Sequence, residues 1–156
     1  MSDDARFEDG AERPLNLGAM DAEDLQVISS LVQDAVFPIT EMTWRAAERR
    51  FGLLLNRFRW EDAGQGRHSP ERVQAVLAVD NVLKVASQGI DRTDPDMILS
   101  VLSIIFEAGE DGAGHVLVTL AGDGAIRLEA EALDVTLKDV TRPYRATSGK
   151  VPTHKD

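Results

Sequence analysis

Hydrophobic residues recur at helical spacing near the start of the chain and at strand spacing after it. One apolar stripe has the spacing of a helix face and consists of Leu25, Ile28, Leu31, Val32 and Ala35. Asp21 is a favourable N-cap before this stripe, and Pro38 prevents a long continuation after it. The pattern therefore predicts one amphipathic helix over about Asp21–Ala35, with Met20 packing against Leu25 as a hydrophobic staple.

The densest run of bulky apolar residues is Arg49–Trp60, with the sequence RRFGLLLNRFRW. Alternate side chains of a strand point to opposite faces, and both faces are apolar around Leu53–Leu55. We therefore predict a central strand that is covered on both sides. At its far end we expect Arg57 and Arg59 to point into water, while Phe58 continues the apolar face.

A long alternating pattern follows at residues 72–86. Its apolar odd positions are Val73, Ala75, Leu77, Val79, Leu83 and Val85, interrupted only by Asn81. A hairpin turn at Asp80 and Asn81 is the alternative, but it would put Lys84 on the apolar face of Leu77. The unbroken alternation favours one continuous strand, and a strand of this length favours a strongly curved sheet.

The segments before and after these strands are also predicted to form antiparallel pairs. Phe37–Trp44 contains Pro38, which favours an edge strand, and Trp44 would lie opposite Gly52. Near the C-terminus, a three-residue loop at Gly122–Gly124 keeps one face of a hairpin apolar.

In that hairpin, Leu120 would lie opposite Ile126. The strand before it, Met97–Glu107, would pair so that Phe106 lies opposite Val116.

Taken together, these elements predict an α+β fold. One N-terminal helix packs on a strongly curved, about six-stranded antiparallel sheet, a roll or partial barrel. Residues 14–140 form the single domain, whereas 1–13 are expected to be a disordered tail and 141–156 a flexible C-terminal tail.

Composition narrows the classes of function. The 156 residues include no cysteine, which excludes disulfides and thiolate chemistry, and the net charge of −10 disfavours binding to nucleic acid or to anionic membranes. Neither a signal peptide nor a membrane-spanning run is visible in the sequence, so a cytoplasmic protein is expected.

No catalytic, metal-binding or cofactor-binding motif stands out. His68, His115 and His154 lack the spacing of metal ligands, and the Gly64–Gly66 segment lacks the third glycine of a dinucleotide fingerprint. We therefore predict no metal, no cofactor and no catalytic residue. Asn56 and His115 are the polar strand residues most worth locating in any pocket.

The strongest candidate for a binding site is a cluster of arginine and tryptophan residues. Residues 44–60 contain five arginines and only one glutamate, although the chain as a whole is acidic. Arginine and tryptophan are enriched at binding surfaces, but ion pairing with the acidic surface is the competing explanation. The candidate binding residues are Trp44, Arg45, Arg49, Arg50, Asn56, Arg57, Arg59 and Trp60.

Three stretches also resemble a known family. LNRFRWE at Leu55–Glu61, Val82–Asp91 and Gly122–Leu128 are similar to an uncharacterised bacterial family of domains of unknown function, found mainly in alphaproteobacteria. The resemblance covers about Leu15 to Val140. It implies a small bacterial cytoplasmic protein and carries over no activity, cofactor or catalytic residue.

Two hypotheses about function follow. The first is a non-enzymatic binding or protein-interaction module that uses the arginine and tryptophan residues to contact another protein or an anionic small molecule. The second is a small enzyme with a pocket between the helix and the curved sheet. A homodimer through the edge strand Phe37–Trp44 is compatible with both.

Overall fold

The computed structural model describes residues 14–61 and 71–145. It contains one α-helix, α1 (Ala22–Leu31), and two short 3-10 turns at Ile39–Glu41 and Ala46–Glu48. The strands are β1 (Asn16–Ala19), β2 (Val36–Pro38), β3 (Met42–Arg45), β4 (Arg50–Phe58), β5 (Glu71–Val79), β6 (Val82–Gln88), β7 (Ile98–Ala108), β8 (Gly114–Leu120), β9 (Ala125–Ala130), β10 (Val135–Asp139) and β11 (Tyr144–Arg145).

All strand pairs are antiparallel, in the order β1-β10-β5-β4-β2-β7-β8-β9-β6, with β3 added to β4 and β11 to β5. The predicted α+β class with one helix is therefore confirmed. The prediction of about six strands is wrong, because the sheet has eleven and does not close. Turns divide segments that we expected to be single strands. Residues before and after the expected strands also form additional strands, which pair with the sheet.

The sheet folds back on itself between β5 and β6. These strands are third and ninth in the order, about 29 Å apart if the sheet were flat. Only Asp80 and Asn81 connect them, and such a link spans no more than about 11 Å. The backbone N–H of Val82 also donates to the carbonyl of Arg49 at 2.9 Å, next to β4. The two halves of the sheet therefore face each other across one core.

The long pattern at residues 72–86 is neither one strand nor a hairpin. Asn81 adopts a left-handed conformation (φ 62°), after which β6 pairs with β9 instead of continuing beside β4 and β10. A register shift between Val82 and Lys84 turns Leu83 outward, where it is 45% exposed. The expectation that Leu83 faces the core is therefore wrong, because a β-bulge shifts the alternation by one residue.

The expected pairing between β3 and β4 is displaced by one residue. Thr43, not Trp44, lies opposite Gly52, and Trp44 lies opposite Phe51. Two features account for the difference: a 3-10 turn after Pro38 separates β2 from β3, and Arg49 closes the β3–β4 connection with a left-handed backbone (φ 56°). The expected edge strand is thus divided, and its first part, β2, is paired on both sides by β4 and β7.

In the C-terminal hairpins, the side chains lie on the predicted faces of the sheet, but not every residue pairs with its predicted partner. Phe106 lies opposite Val116, as predicted. Four residues, 121–124, connect β8 to β9, and the pairing differs from the expected register, so Ile126 pairs with Val118 and not with Leu120. Ile126 remains buried on the predicted dry face, because a shift of two residues preserves the direction of every side chain.

The helix begins as predicted and ends earlier. Asp21 caps it, with its Oδ1 accepting a hydrogen bond from the N–H of Asp24 at 2.8 Å. Leu25 and Ile28 are buried in the core, whereas Met20 is exposed, so the expected staple is absent. The helix packs against β7 and β1 and thereby covers one side of the folded sheet. Across the described ranges, no helix has the length and apolar character needed to cross a membrane.

Part of the expected C-terminal tail joins the sheet. Tyr144 pairs with Arg72, and the N–H of Val140 donates to the carbonyl of Gln74 at 2.8 Å. Sheet pairing therefore continues beyond the boundary expected at residue 140. Residues 1–13 and 146–156 of the expected tails lie outside the described residues, as does 62–70, which includes His68.

Candidate functional site

The structure divides the predicted cluster between the two ends of β4. Trp44, Arg45, Arg49 and Arg50 lie at the end that connects to β3. Asn56, Arg57, Arg59 and Trp60 lie at the opposite end. The eight residues consequently form two separate groups with different chemistry.

Arg57 is fully buried, contrary to the expectation that it points into water. Its Nε and Nη2 donate to the two carboxylate oxygens of Asp139 at 3.1 and 3.0 Å, and Nη1 and Nη2 donate to those of Glu61 at 2.9 and 2.8 Å. Nη1 also donates to the carbonyl of Phe58 at 3.3 Å. A guanidinium has five N–H groups, and these five bonds use all of them. Arg57 therefore has no donor left for a ligand.

The charged states of Arg57 and Glu61 follow from burial and from the hydrogen bonds between them. Burial alone would lower the pKa of Arg57, but its hydrogen bonds to Glu61 and Asp139 raise the pKa above its usual value. Burial would likewise raise the pKa of Glu61, but the hydrogen bond from Arg57 and its positive charge lower it. Both partners are thus held in their charged forms.

The buried arginine also connects distant parts of the chain. Asp139 accepts a second hydrogen bond, from the N–H of Leu15 at 2.8 Å, and its own N–H donates to the Leu15 carbonyl at 2.9 Å. Arg57, Asp139 and Leu15 come from β4, β10 and the segment before β1. This arrangement fixes the N-terminal segment to the sheet, which is a structural role.

The remaining residues at this end are also held by protein groups. The expectation that Arg59 points into water is also wrong, because Arg59 is only 2% exposed and donates from Nη1 to Glu71 at 2.6 Å. The indole N–H of Trp60 donates to the carbonyl of Gln33 at 2.8 Å, and its ring packs edge-to-face on Phe58 at a centroid distance of 4.8 Å. Asn56 donates to the hydroxyl of Tyr144 at 2.7 Å. The geometry here favours the structural explanation over recognition.

The arginines at the other end of β4 are exposed. Arg50 donates from Nε to Asp80 at 2.8 Å, Arg45 lies 3.7 Å from Glu48, and Arg49 pairs with Glu131. Each of the three arginine side chains is more than half exposed, so the pairs are screened by water and contribute little to stability.

A cleft of about 360 Å³ opens beside these arginines, where the sheet fails to close between β3 and β6. Alternate residues of each strand form its walls, the buried Phe51 and Ile126 form its floor, and Arg92 contributes the single charged side chain. We call this the seam cleft. Its lining consists of Met42, Trp44, Phe51, Val85, Ser87, Arg92 and Ile126.

Two larger clefts lie on the outer face of the β8–β9 region and share Glu107 and Arg127. Both are open to solvent, and neither has a floor of large buried side chains. His115 lines the second of them, whereas Asn56 lines none of the three clefts. Of the three, the seam cleft best combines apolar floor, aromatic wall and polar groups, as ligand sites do.

Sequence reasoning found Trp44 but missed Val85, Ser87 and Arg92. Residues 88–96 read only as a turn, and nothing in the sequence places that turn beside β3. Among residues 14–61 and 71–145, no three His, Cys, Asp or Glu side chains are grouped so that they could hold a metal ion.

The fold and the site define an α+β protein with an open antiparallel sheet and a ligand-sized cleft at its seam. The chain belongs to a family described as proteins of unknown function, DUF2948, whose model matches residues 15–154. This match confirms the resemblance to a family of unknown function. No curated protein and no solved structure matches the chain.

Proposed function

We propose that this protein is a non-enzymatic binding module and that its ligand site is the seam cleft. The observation that carries the proposal is a cleft floored by the buried Phe51 and Ile126 and walled by Trp44, which is 37% exposed. The cleft volume of about 360 Å³ lies within the range of roughly 300–1,000 Å³ that is usual for small-molecule sites.

The side chains of the cleft favour binding over catalysis. Ser87 and Arg92 are the polar residues among its lining, and no Asp, Glu, His, Lys or Tyr accompanies them. A serine needs an adjacent base to act as a nucleophile, and arginine does not exchange protons near neutral pH. The lining thus offers shape, apolar contact and one positive charge.

The competing hypothesis of an enzyme pocket under the helix has less support. The inward face of α1 is filled by Leu25 and Ile28, which are buried in the common core. The three clefts described above are lined by strand and turn residues and not by α1.

Binding of the neutral aromatic probe 2-naphthamide tests the proposal. We expect a fast-exchange complex detected by ligand-observed NMR, because a flat aromatic ring can stack on Trp44 and displace water from the apolar floor. The substitution Trp44→Ala should weaken binding by about fivefold or more, since it removes one wall of the cleft.

Tyr144→Ala is the matched control. Tyr144 is an aromatic residue of almost equal exposure, 38%, on a strand of the same sheet and outside the cleft. Its loss should leave probe binding unchanged, and melting curves should show that both variants are folded. Absence of probe binding, or equal weakening by the two substitutions, would overturn the assignment of the cleft.

A further inference from the structure

Resting on the proposed function, we infer that the ligand of the seam cleft is a small apolar molecule that carries one anionic group, with a carboxylate as the simplest case. Its apolar body would lie on Phe51 and Ile126 beside Trp44, and its anionic group would meet Arg92. This assigns a chemical class of ligand to a site that is otherwise defined only by shape.

The cleft carries one positive charge, which is available for a ligand. Arg92 is the single charged residue of the lining and lies in the connection between β6 and β7. Within residues 14–61 and 71–145, its guanidinium has no hydrogen-bond or ion-pair partner. In contrast, the arginines of the neighbouring β3–β4 hairpin already have partners. Arg45 pairs with Glu48, Arg49 with Glu131 and Arg50 with Asp80. Arg92 therefore keeps its donors available for an anion.

Acidic residues also occur in the same turn, and their contacts limit their effect. The carboxylate of Asp91 accepts hydrogen bonds from the backbone and hydroxyl of Thr93, and that of Asp94 accepts from the N–H of Asp96 at 3.0 Å. These bonds hold the carboxylates within their own turn, and neither residue lines the cleft.

The remaining lining limits the number of charges on the ligand. Met42, Val85 and Ile126 offer only apolar contact, and Ser87 offers one hydroxyl. A second anionic group would be buried against apolar surface without a partner, which is costly. The net charge of −10 would also repel a multiply charged ligand.

A comparison of 2-naphthoate with 2-naphthamide tests the inference, because the two probes share one ring system and differ in charge. We expect the carboxylate to bind about three- to tenfold more tightly to the unaltered protein, the range typical of a charge-assisted hydrogen bond at a partly exposed site. Arg92→Gln should remove this preference, so that the two probes bind the variant with similar affinities.

Arg45→Gln is the matched control, since it removes the same charge from an exposed arginine of β3 that does not line the cleft. It should preserve the preference for the carboxylate. Equal affinities of the two probes for the unaltered protein, or a preference that survives Arg92→Gln, would overturn the inference while leaving the proposed cleft intact. Failure of both probes to bind would instead contradict the proposed function itself.

Discussion

Arginines lie near both ends of β4, and the two ends place them in opposite environments. Arg57 is fully buried, with all of its donors used by carboxylates and one carbonyl, whereas Arg50 is more than half exposed and pairs with Asp80 at the surface. One strand thus contains an arginine that supports the fold and another that forms only an exposed surface pair. Residue type alone does not distinguish the two roles, because the role depends on which carboxylates the fold brings close.

The largest expected effect is the loss of the buried arginine. Arg57→Met should lower the free energy of unfolding by about 3–5 kcal/mol, because it leaves the buried carboxylate of Asp139 without its partner. Arg50→Met in the same strand should cost less than about 1 kcal/mol. Urea denaturation of both variants measures the difference, and similar losses at the two positions would show that the two ends of β4 are equivalent.

A second substitution sharpens this result. Adding Asp139→Leu to Arg57→Met should recover about 1–3 kcal/mol of the loss, because replacing both members of a buried pair removes the uncompensated charge. Glu61, whose side chain is 26% exposed, can then turn to water. A double variant that is less stable than Arg57→Met would mean that Asp139 matters mainly through its hydrogen bond with Leu15.

The contrast between the two ends of β4 also explains which parts of the structure could be predicted from the sequence. Asp21 and Leu25 locate the start of the helix correctly because the signals there are local, whereas the helix ends at Leu31 and not near Ala35. Alternation predicted the buried face of β5 at Val73, but it failed at Leu83, where a bulge shifts the parity. The environment of Arg57 depends on Asp139, which is 82 residues away in sequence. No local pattern announces such a pair.

The candidate site shows the same limit. The sequence predicts Trp44 as a binding residue because it lies among arginines, but Ser87 and Arg92 become its neighbours only because the sheet folds back after Asn81. The sequence pattern alone indicates Asn81 as a single interruption in one continuous strand. The cleft could therefore be predicted only in part, through the single wall that Trp44 supplies.

The pH dependence of stability provides the next smaller effect. The pKa of Glu61 in the folded protein is lowered below its ordinary value of 4.5, so its contribution to stability is fully present above that pH and is lost as the pH falls through the folded-state pKa. The stability difference between the unaltered protein and Glu61→Gln should therefore be largest at neutral pH and shrink below about pH 4.5. Denaturation curves over this range measure it, and a difference that grows on acidification would contradict the sign.

The smallest effect is expected at the exposed end of β4. Arg49→Gly removes the surface pair with Glu131 but relieves the left-handed backbone of a non-glycine residue, which costs about 1 kcal/mol. The free energy of unfolding should stay within about 1 kcal/mol of that of the unaltered protein. A loss comparable to that of Arg57→Met would make Arg49 a structural residue as well.

The most direct test of recognition at the seam is a map of chemical-shift changes during titration with 2-naphthoate. The two indole N–H signals provide an internal control. Trp44 lines the cleft, whereas the indole of Trp60 is hydrogen-bonded to Gln33 at the opposite end of β4. We predict saturable shifts at the Trp44 indole and the Ser87 amide, with the Trp60 indole unmoved. Shifts centred on Trp60 with Trp44 unmoved would contradict the account.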